Sequence, residues 1–333
     1  MPYTSINFNK KTILITGGAG FIGSNLAFYF QDNFPNSNIV IFDCFRSEAK
    51  FPNGNLKSLG DFKNLIGFKG DIICGNINSN DDISLLHKYN FDYIFHQAAI
   101  SDTLVFDQEY IMKTNVNSFY DILEIAKTQN SVLIYASSAA TYGNSPSPQT
   151  IGHENPLNPY GFSKYAMDQI AIKFIKKNPK MHIIGLRYFN VYGPGEFYKG
   201  STSSMVIQLG HQILKGKSPR LFNKSKNIFR DFINIEDVIQ ANVKACISSK
   251  SNVYNIGTGI PRSFQDISDI LQKELGTNYE TDYFSNPHNS YQSYTQADIQ
   301  TANEDFNFNP IITLEIGIKN YIPEIKRLYK EAY

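Results

Sequence analysis

TILITGGAGFIGSNLAFYF, residues 12–30, decides the fold. TILIT is a short apolar run that reads as a strand covered on both faces. FIGSNLAFYFQ carries apolar residues at three- and four-residue spacing, as a helix packed on one side does. Between them, Gly17, Gly20 and Gly23 stand in G-x-x-G-x-x-G spacing. Glycine lets such a turn go tight and lets backbone N–H groups approach a pyrophosphate, whose charge a helix N-terminus favours. A bare glycine triplet also fits an ordinary strand-to-helix turn; the strand before and the helix after it point to a dinucleotide.

Outward from this stretch the same rhythm repeats. IVIFD (39–43), GDIIC (70–74), DYIFH (92–96), SVLIYAS (131–137) and HIIGLRY (182–188) read as further strands. DDISLLHKY, EYIMKTNVNSFYDILEIAKT and YGFSKYAMDQIAIKFIKK read as helices between them. Strand–helix alternation predicts an α/β chain, with a Rossmann-type doubly wound parallel sheet. After about residue 189 the chain becomes loop-rich, then gives a helix, a short LF strand and RDFINIEDVIQANVKA. We therefore expect a dinucleotide-binding domain over 1–189 and a smaller α/β substrate-binding lobe over 190–333, with a segment near 231–255 returning to the first sheet.

The 333 residues, 42% apolar and 18% charged, are ordinary globular usage. Lys+Arg 31 against Asp+Glu 30 leaves no broad positive field, which argues against nucleic acid or an anionic membrane as partner. Cys44, Cys74 and Cys246 lie far apart, without a CxxC pair or histidines in zinc spacing, so neither disulfide nor metal is expected. The N-terminus lacks the order of a signal peptide and no long apolar run follows, so the expectation is a soluble, cytoplasmic protein.

Asp43 ends the second strand about 20 residues past the glycines, where a carboxylate takes the adenosine ribose hydroxyls. That alone favours NAD. Arg46 and Lys50 follow closely and suit a 2′-phosphate, so NADP stands beside NAD, and a solvated loop is the bland reading of both cations. Asn76 and Ile77, after the third strand, suit the adenine edge or a surface turn. Gln97, Ala98, Ala99, Ile100 and Ser101 supply the small residues needed where ribose and pyrophosphate pass close to backbone.

Tyr160 and Lys164 open a helix at i and i+4, on one face. A phenol of pKa about 10 is a poor base at pH 7, by about 4 kcal/mol. One cation at about 4 Å and an effective dielectric near 20 supplies about 4 kcal/mol, so Lys164 has the right scale to activate it. Y-x-x-x-K is common as a surface pair; its companion here is YASSAATYG, which places Ser137 and Ser138 at the end of the fifth strand. A serine hydroxyl there can hold the reacting oxygen.

GGAGFIGSN, YASSAATYG, NPYGFSK, LRYFNVYGPGE and RDFINIEDV together resemble the extended short-chain dehydrogenase/reductase superfamily, whose members mostly act on nucleotide-sugars. Within it, RYFNVYGPGEFYKGSTSSM, PRLFNKSKNIFRDF and YQSYTQADI resemble the heptose 6-epimerases, which supply heptose for the lipopolysaccharide inner core. The resemblance implies an isomerase that uses NADP to oxidise carbon 6 of an ADP-linked heptose and returns hydride to the other face. It implies Tyr160 as acid/base on one face and Lys199 on the other, a role open to a desolvated lysine. Otherwise Lys199 is a solvated loop residue. The same resemblance assigns Asn190, Ser201, Gln208, Phe222, Asn223, Lys224, Ser225, Arg230 and Tyr291 to substrate. To cofactor it assigns Phe21, Ile22, Asp43, Cys44, Lys50, Gln97 to Ser101, Thr114, Lys164 and Val191. It further implies a homo-oligomer such as a pentamer.

Three positions depart from the pattern: Gln208 where a histidine is expected, Gly195 in place of arginine, and Asn76 in place of aspartate. The alternatives are a 4-epimerase, an enzyme acting on a GDP-linked heptose, or a silent dinucleotide-binding sensor. A 4,6-dehydratase would need acids after the serine, where Ala139, Ala140 and Thr141 stand. A sensor would not need Ser138, Tyr160 and Lys164 together.

Overall fold

The computed structural model describes residues 3–285 and 292–332. Its first strands are β1 (Thr12–Thr16), β2 (Asn38–Asp43), β3 (Asp71–Cys74), β4 (Tyr93–His96), β5 (Val132–Ser138) and β6 (Ile183–Tyr188), within a residue of the six apolar runs. There follow β7 (Asn190–Tyr192), β8 (Arg220–Phe222), β9 (Phe229–Asn234), β10 (Val253–Ile256), β11 (Pro261–Ser263) and β12 (Asp282–Phe284). Seven of them form one parallel sheet in the order β10-β6-β5-β4-β1-β2-β3.

Period-two alternation divides β1 between two cores. Ile13 and Ile15 face Phe8, Phe30 and Phe95 on one side of the sheet, and Leu14 faces Val40, Phe119 and Leu133 on the other. All three β1 residues are fully buried. This explains a run with no polar member at its centre. From β1 the chain proceeds to β2 and β3 on one side, then crosses to β4 on the other. The carboxyl ends of β1 and β4 thus feed loops that diverge, and a crevice opens at that switch point.

The helix expected over EYIMKTNVNSFYDILEIAKT is interrupted. Gln108–Ile111 and Ser118–Gln129 are α-helical, but Met112–Asn117 is a π-turn. Its cause is Asn115, fully buried, whose amide accepts from Ile100 N at 2.8 Å and donates to Ile100 O at 3.0 Å and Ser163 Oγ at 2.9 Å. The extra residue in the turn aims this side chain at the loop after β4, a use typical of π-bulges.

Beyond β6, β11-β9-β7 form a small sheet and β12 pairs with β8. The helices Met205–Leu214, Phe264–Leu275 and Leu314–Ala332 bury one apolar cluster over them, including Leu209, Leu271, Ile318 and Ile325. The chain also returns to the first sheet: β9 stays in the small sheet, the helix Ile235–Ala245 packs beside Phe21–Asn33, and β10 pairs with β6. No described helix is long and apolar enough to cross a membrane.

Candidate active site

The glycine turn is shaped by close approach. Gly17 has φ +69, and a Cβ there would lie 2.7 Å from Ala98 N; one on Gly23 would lie 2.3 Å from Gly17 O. The helix Phe21–Asn33 starts at Gly20 with no side-chain cap and no acidic residue in its first turn. Its leading N–H groups are open to an anion. Asp43 closes the far side, 6% exposed, with its carboxylate accepting from Ala19 N at 2.9 Å and Phe45 N at 2.8 Å. Burial pushes that carboxyl upward, opposed by the two N–H donors. An uncapped helix start against a groove that admits no Cβ fits a dinucleotide pyrophosphate.

From this turn a cleft of about 1650 Å³ runs across the carboxyl ends of β1, β4 and β5 to the second lobe. Asn158 caps the helix Pro159–Lys177 by accepting from Gly161 N at 2.8 Å, with Pro159 at the first helical position. Tyr160, in the first turn, and Lys164, one turn further on, both line the cleft. Burial raises the Tyr160 pKa and a hydrogen bond with Ser138 lowers it. Lys164 is 2% exposed and donates to Ala136 O at 2.7 Å; burial brings its pKa down to about 8. Ser138 is therefore the serine that meets Tyr160 in the cleft. Ser137 instead donates to Asp168 at 2.9 Å.

Asp168, one turn after Lys164, anchors a buried network that motif reading missed. It accepts from Tyr135 Oη at 2.9 Å and from Arg187 Nε at 2.8 Å, and Arg187 Nη1 reaches Glu154 at 2.5 Å. Burial pushes the Asp168 carboxyl up, and Arg187 pulls it back. The i+4 spacing from Lys164 was its one signal in the sequence. The network ties β5, β6 and the Tyr160 helix together behind the cleft.

Lys199 enters from the opposite lobe, on the turn Phe197–Thr202. It is half-buried, with Nζ 5.7 Å from the Phe21 ring centroid. Desolvation lowers its pKa, opposed by Glu196. Glu196 is itself buried and holds the turn by accepting from Ser204 N at 2.5 Å, Ser204 Oγ at 2.8 Å and Gly193 N at 3.1 Å. Gly195 has φ +96, and a Cβ there would lie 2.9 Å from Asn25 Nδ2, which donates to Pro194 O. The departure from arginine thus has a local steric basis.

Most of the residues singled out from sequence line this cleft: of those expected at a cofactor, Gly17, Gly20 to Gly23, Asp43, Cys44, Asn76, Ile77, Gln97 to Ser101, Thr114 and Val191 do so. Of those expected at a substrate, Asn190, Ser201, Gln208, Phe222, Ser225 and Arg230 line it. Arg230 donates to the carbonyls of Phe229 at 2.8 Å and Gln292 at 2.5 Å. Gln208 donates to Ser203 O at 2.7 Å, so its amide braces the Lys199 turn. The Asn76 amide oxygen, expected at the adenine, accepts from Asn78 N at 2.9 Å. Four residues lie outside the lining. Arg46 is engaged by Asp61 and the Tyr198 carbonyl, and Lys50 sits on an exposed bridge to Leu56. Asn223 and Lys224 form the bend between Phe222 and Ser225, where Lys224 has φ +65. Tyr291 lies outside the described residues. Lys57, not anticipated, does line the cleft, with Nζ 4.6 Å from the Tyr110 ring centroid.

Comparison with known proteins agrees with this architecture. An ADP-L-glycero-D-manno-heptose-6-epimerase of Brachyspira hyodysenteriae is 35% identical over 322 residues, 95% of this chain and 98% of the relative. The crystal structure of Helicobacter pylori ADP-L-glycero-D-manno-heptose-6-epimerase is 48% identical, with TM-score 0.89 over 98% of this chain and 99% of that one. A UDP-glucuronic acid 4-epimerase from Bacillus cereus, solved with UDP-glucuronic acid and NAD, is 27% identical with TM-score 0.81, over 96% of this chain and 100% of that one. The NAD dependent epimerase/dehydratase family model matches residues 13–257, from β1 through β10 and so across the glycine cradle and the Tyr160 helix. The chain belongs to that family.

Proposed function

We propose that this chain is an ADP-L-glycero-D-manno-heptose-6-epimerase, interconverting ADP-D-glycero- and ADP-L-glycero-β-D-manno-heptose at carbon 6. The observation that carries it is the presence of two ionisable groups in one cleft, on different lobes: Tyr160 on the first and Lys199 on the second. Inversion through a ketone needs a proton donor and acceptor on each face of the carbon. The names of the heptose epimerase relatives support the choice of sugar.

Gly17, Gly20 to Gly23, Asp43 and Gln97 to Ser101 would hold the dinucleotide. When bound, it supplies reversible two-electron oxidation of the carbinol carbon. Tyr160 holds the proton of the substrate hydroxyl, and Lys164 lowers the cost of its ionisation. Ser138 donates to the same oxygen. Lys199 serves the opposite face, and desolvation lowers its pKa, which eases loss of its proton. Ala139 and Ala140 line the cleft and Thr141 donates to Ser138 O at 2.9 Å, so no carboxylate stands where a dehydratase would need one. The reading includes NADP as the cofactor and a cytoplasmic homo-oligomer acting in lipopolysaccharide heptose synthesis.

The test is incubation of cofactor-loaded protein with the D-glycero substrate, following carbon 6 by NMR. A mixture of epimers is expected; unchanged configuration in a folded sample overturns the assignment.

Lys164 is placed for chemistry at the expense of stability. Its folded pKa of about 8 lies below the unfolded lysine value of about 10.4, so below pH 8 the fold bears the full cost of burying the charge. Lys164→Met should therefore abolish turnover yet unfold at a higher temperature than the parent at pH 7. Its advantage should shrink as the pH rises above 8, where the parent releases that proton on folding. Scanning calorimetry across pH 7–10 checks this.

A further inference from the structure

The loops that follow β2 grip the Lys199 turn at two points. Arg46 Nη2 donates to the carbonyl of Tyr198, the residue before Lys199. Asn55 Oδ1 accepts from Ser201 Oγ at 2.8 Å, two residues after it. Both grips are anchored behind. Arg46 Nη1 lies 3.3 Å from Asp61 Oδ2, and Asp61 N donates to Ala19 O at 3.0 Å, inside the glycine turn. Asn55 Nδ2 donates to Asp102 Oδ2 at 2.6 Å, in the loop after β4.

Between the two grips the turn is held by Lys199 N donating to Glu196 O and Thr202 Oγ1 donating to Lys199 O, both at 3.0 Å, and it is interrupted at one residue. Gly200 sits at φ 60, ψ −124, breaking the turn, and a Cβ there would meet nothing within 4 Å. Tyr198 and Ser201 belong to the second lobe, while Arg46 and Asn55 belong to the first. Glu196 and Gln208 hold the turn within its own lobe, and the cross-lobe bonds on either side of Lys199 tie it to the loops around the glycine turn.

We propose that Arg46 and Asn55 are positioning residues, a clamp that fixes the Lys199 amine over the cofactor groove so that it can serve the second face of the substrate carbon. Arg46 thereby acts through Tyr198 and Lys199 and makes no contact with a cofactor phosphate. The proposal rests on the reading of Lys199 as the second acid/base group.

The experiment uses cofactor-loaded enzyme carrying Arg46→Ala, Arg46→Lys or Asn55→Ala. Backbone hydrogen exchange is followed in the peptide spanning residues 196–204, beside kcat, KM and the NADP and NAD content of the purified protein. Arg46→Ala should speed exchange in that peptide and leave distant peptides unchanged. It should lower kcat about ten- to hundredfold, the scale of a small misplacement of a reacting group, while KM moves less than about twofold. Cofactor content should match the parent. Arg46→Lys keeps the pairing with Asp61 but loses the forked geometry, so it should recover part of kcat; Asn55→Ala should change exchange and kcat in the same direction by less.

Unchanged exchange in 196–204, or a defect confined to NADP retention, overturns the clamp and returns Arg46 to the cofactor. Faster exchange with parental kcat overturns its catalytic consequence while leaving Lys199 assigned. Near-normal turnover of Lys199→Ala overturns the base reading itself, a result distinct from either.

Discussion

Lys199→Ala should lose inversion at carbon 6 by about 10²–10⁴-fold, the usual contribution of a positioned acid/base group, and keep its cofactor. The residue lines the same cleft as Tyr160 from a separate lobe, and Tyr198, the other ionisable side chain of the Phe197–Thr202 turn, is not among the cleft-lining residues. Its amine is partly desolvated, which brings the pKa down toward the range in which a lysine can both take and give a proton. NMR of the carbon 6 configuration gives the rate, and absorbance of the released dinucleotide gives the occupancy. Near-normal turnover would remove the two-base mechanism. Loss of rate together with loss of cofactor would show that the side chain holds the cradle shut instead.

Arg187→Ala should cost about 3–5 kcal/mol of folding stability, because it leaves buried carboxylates without their cation. Arg187 is 1% exposed, Asp168 fully buried, and Glu154 shares the same guanidinium. In the parent, burial already pushes the Asp168 carboxyl upward and Arg187 restrains it. Without Arg187 the folded pKa rises further above the unfolded value of about 3.9, so the folded state binds a proton that the unfolded state has released. The variant's deficit should thus be smallest in acid and grow as the pH rises from about 4 toward 7. Urea midpoints at pH 5 and pH 7.5 decide it: an equal loss at both would mean that packing around the guanidinium, not charge, dominates. Because Asp168 lies one turn below Lys164, the folded fraction should also lose activity.

The sequence by itself determined the parallel sheet, the tight glycine turn and the helix face that Tyr160 and Lys164 share. Each of these is encoded locally. Apolar runs too short for helices mark strands, Gly17 and Gly23 occupy positions that admit no Cβ, and i,i+4 spacing puts Tyr160 and Lys164 on one helix face. Resemblance extended that reading to Lys199 and the second lobe. What only the tertiary structure decided depends on residues far apart in the chain. Ser137 and Ser138 are adjacent and identical in type, yet one donates to the buried Asp168 and the other meets Tyr160, because successive strand residues face opposite ways. Arg46 stands three residues after Asp43 and reads as a phosphate partner, but the turn 152 residues later offers it the Tyr198 carbonyl. Asn115 breaks a helix whose apolar periodicity is continuous, because a loop packed against it needs a buried amide. Charged and amide side chains reach several ångströms and take whichever partner the fold delivers, so their spacing in the chain does not reveal it; backbone sterics and hydrophobic period act within a few residues, and there the sequence speaks for itself.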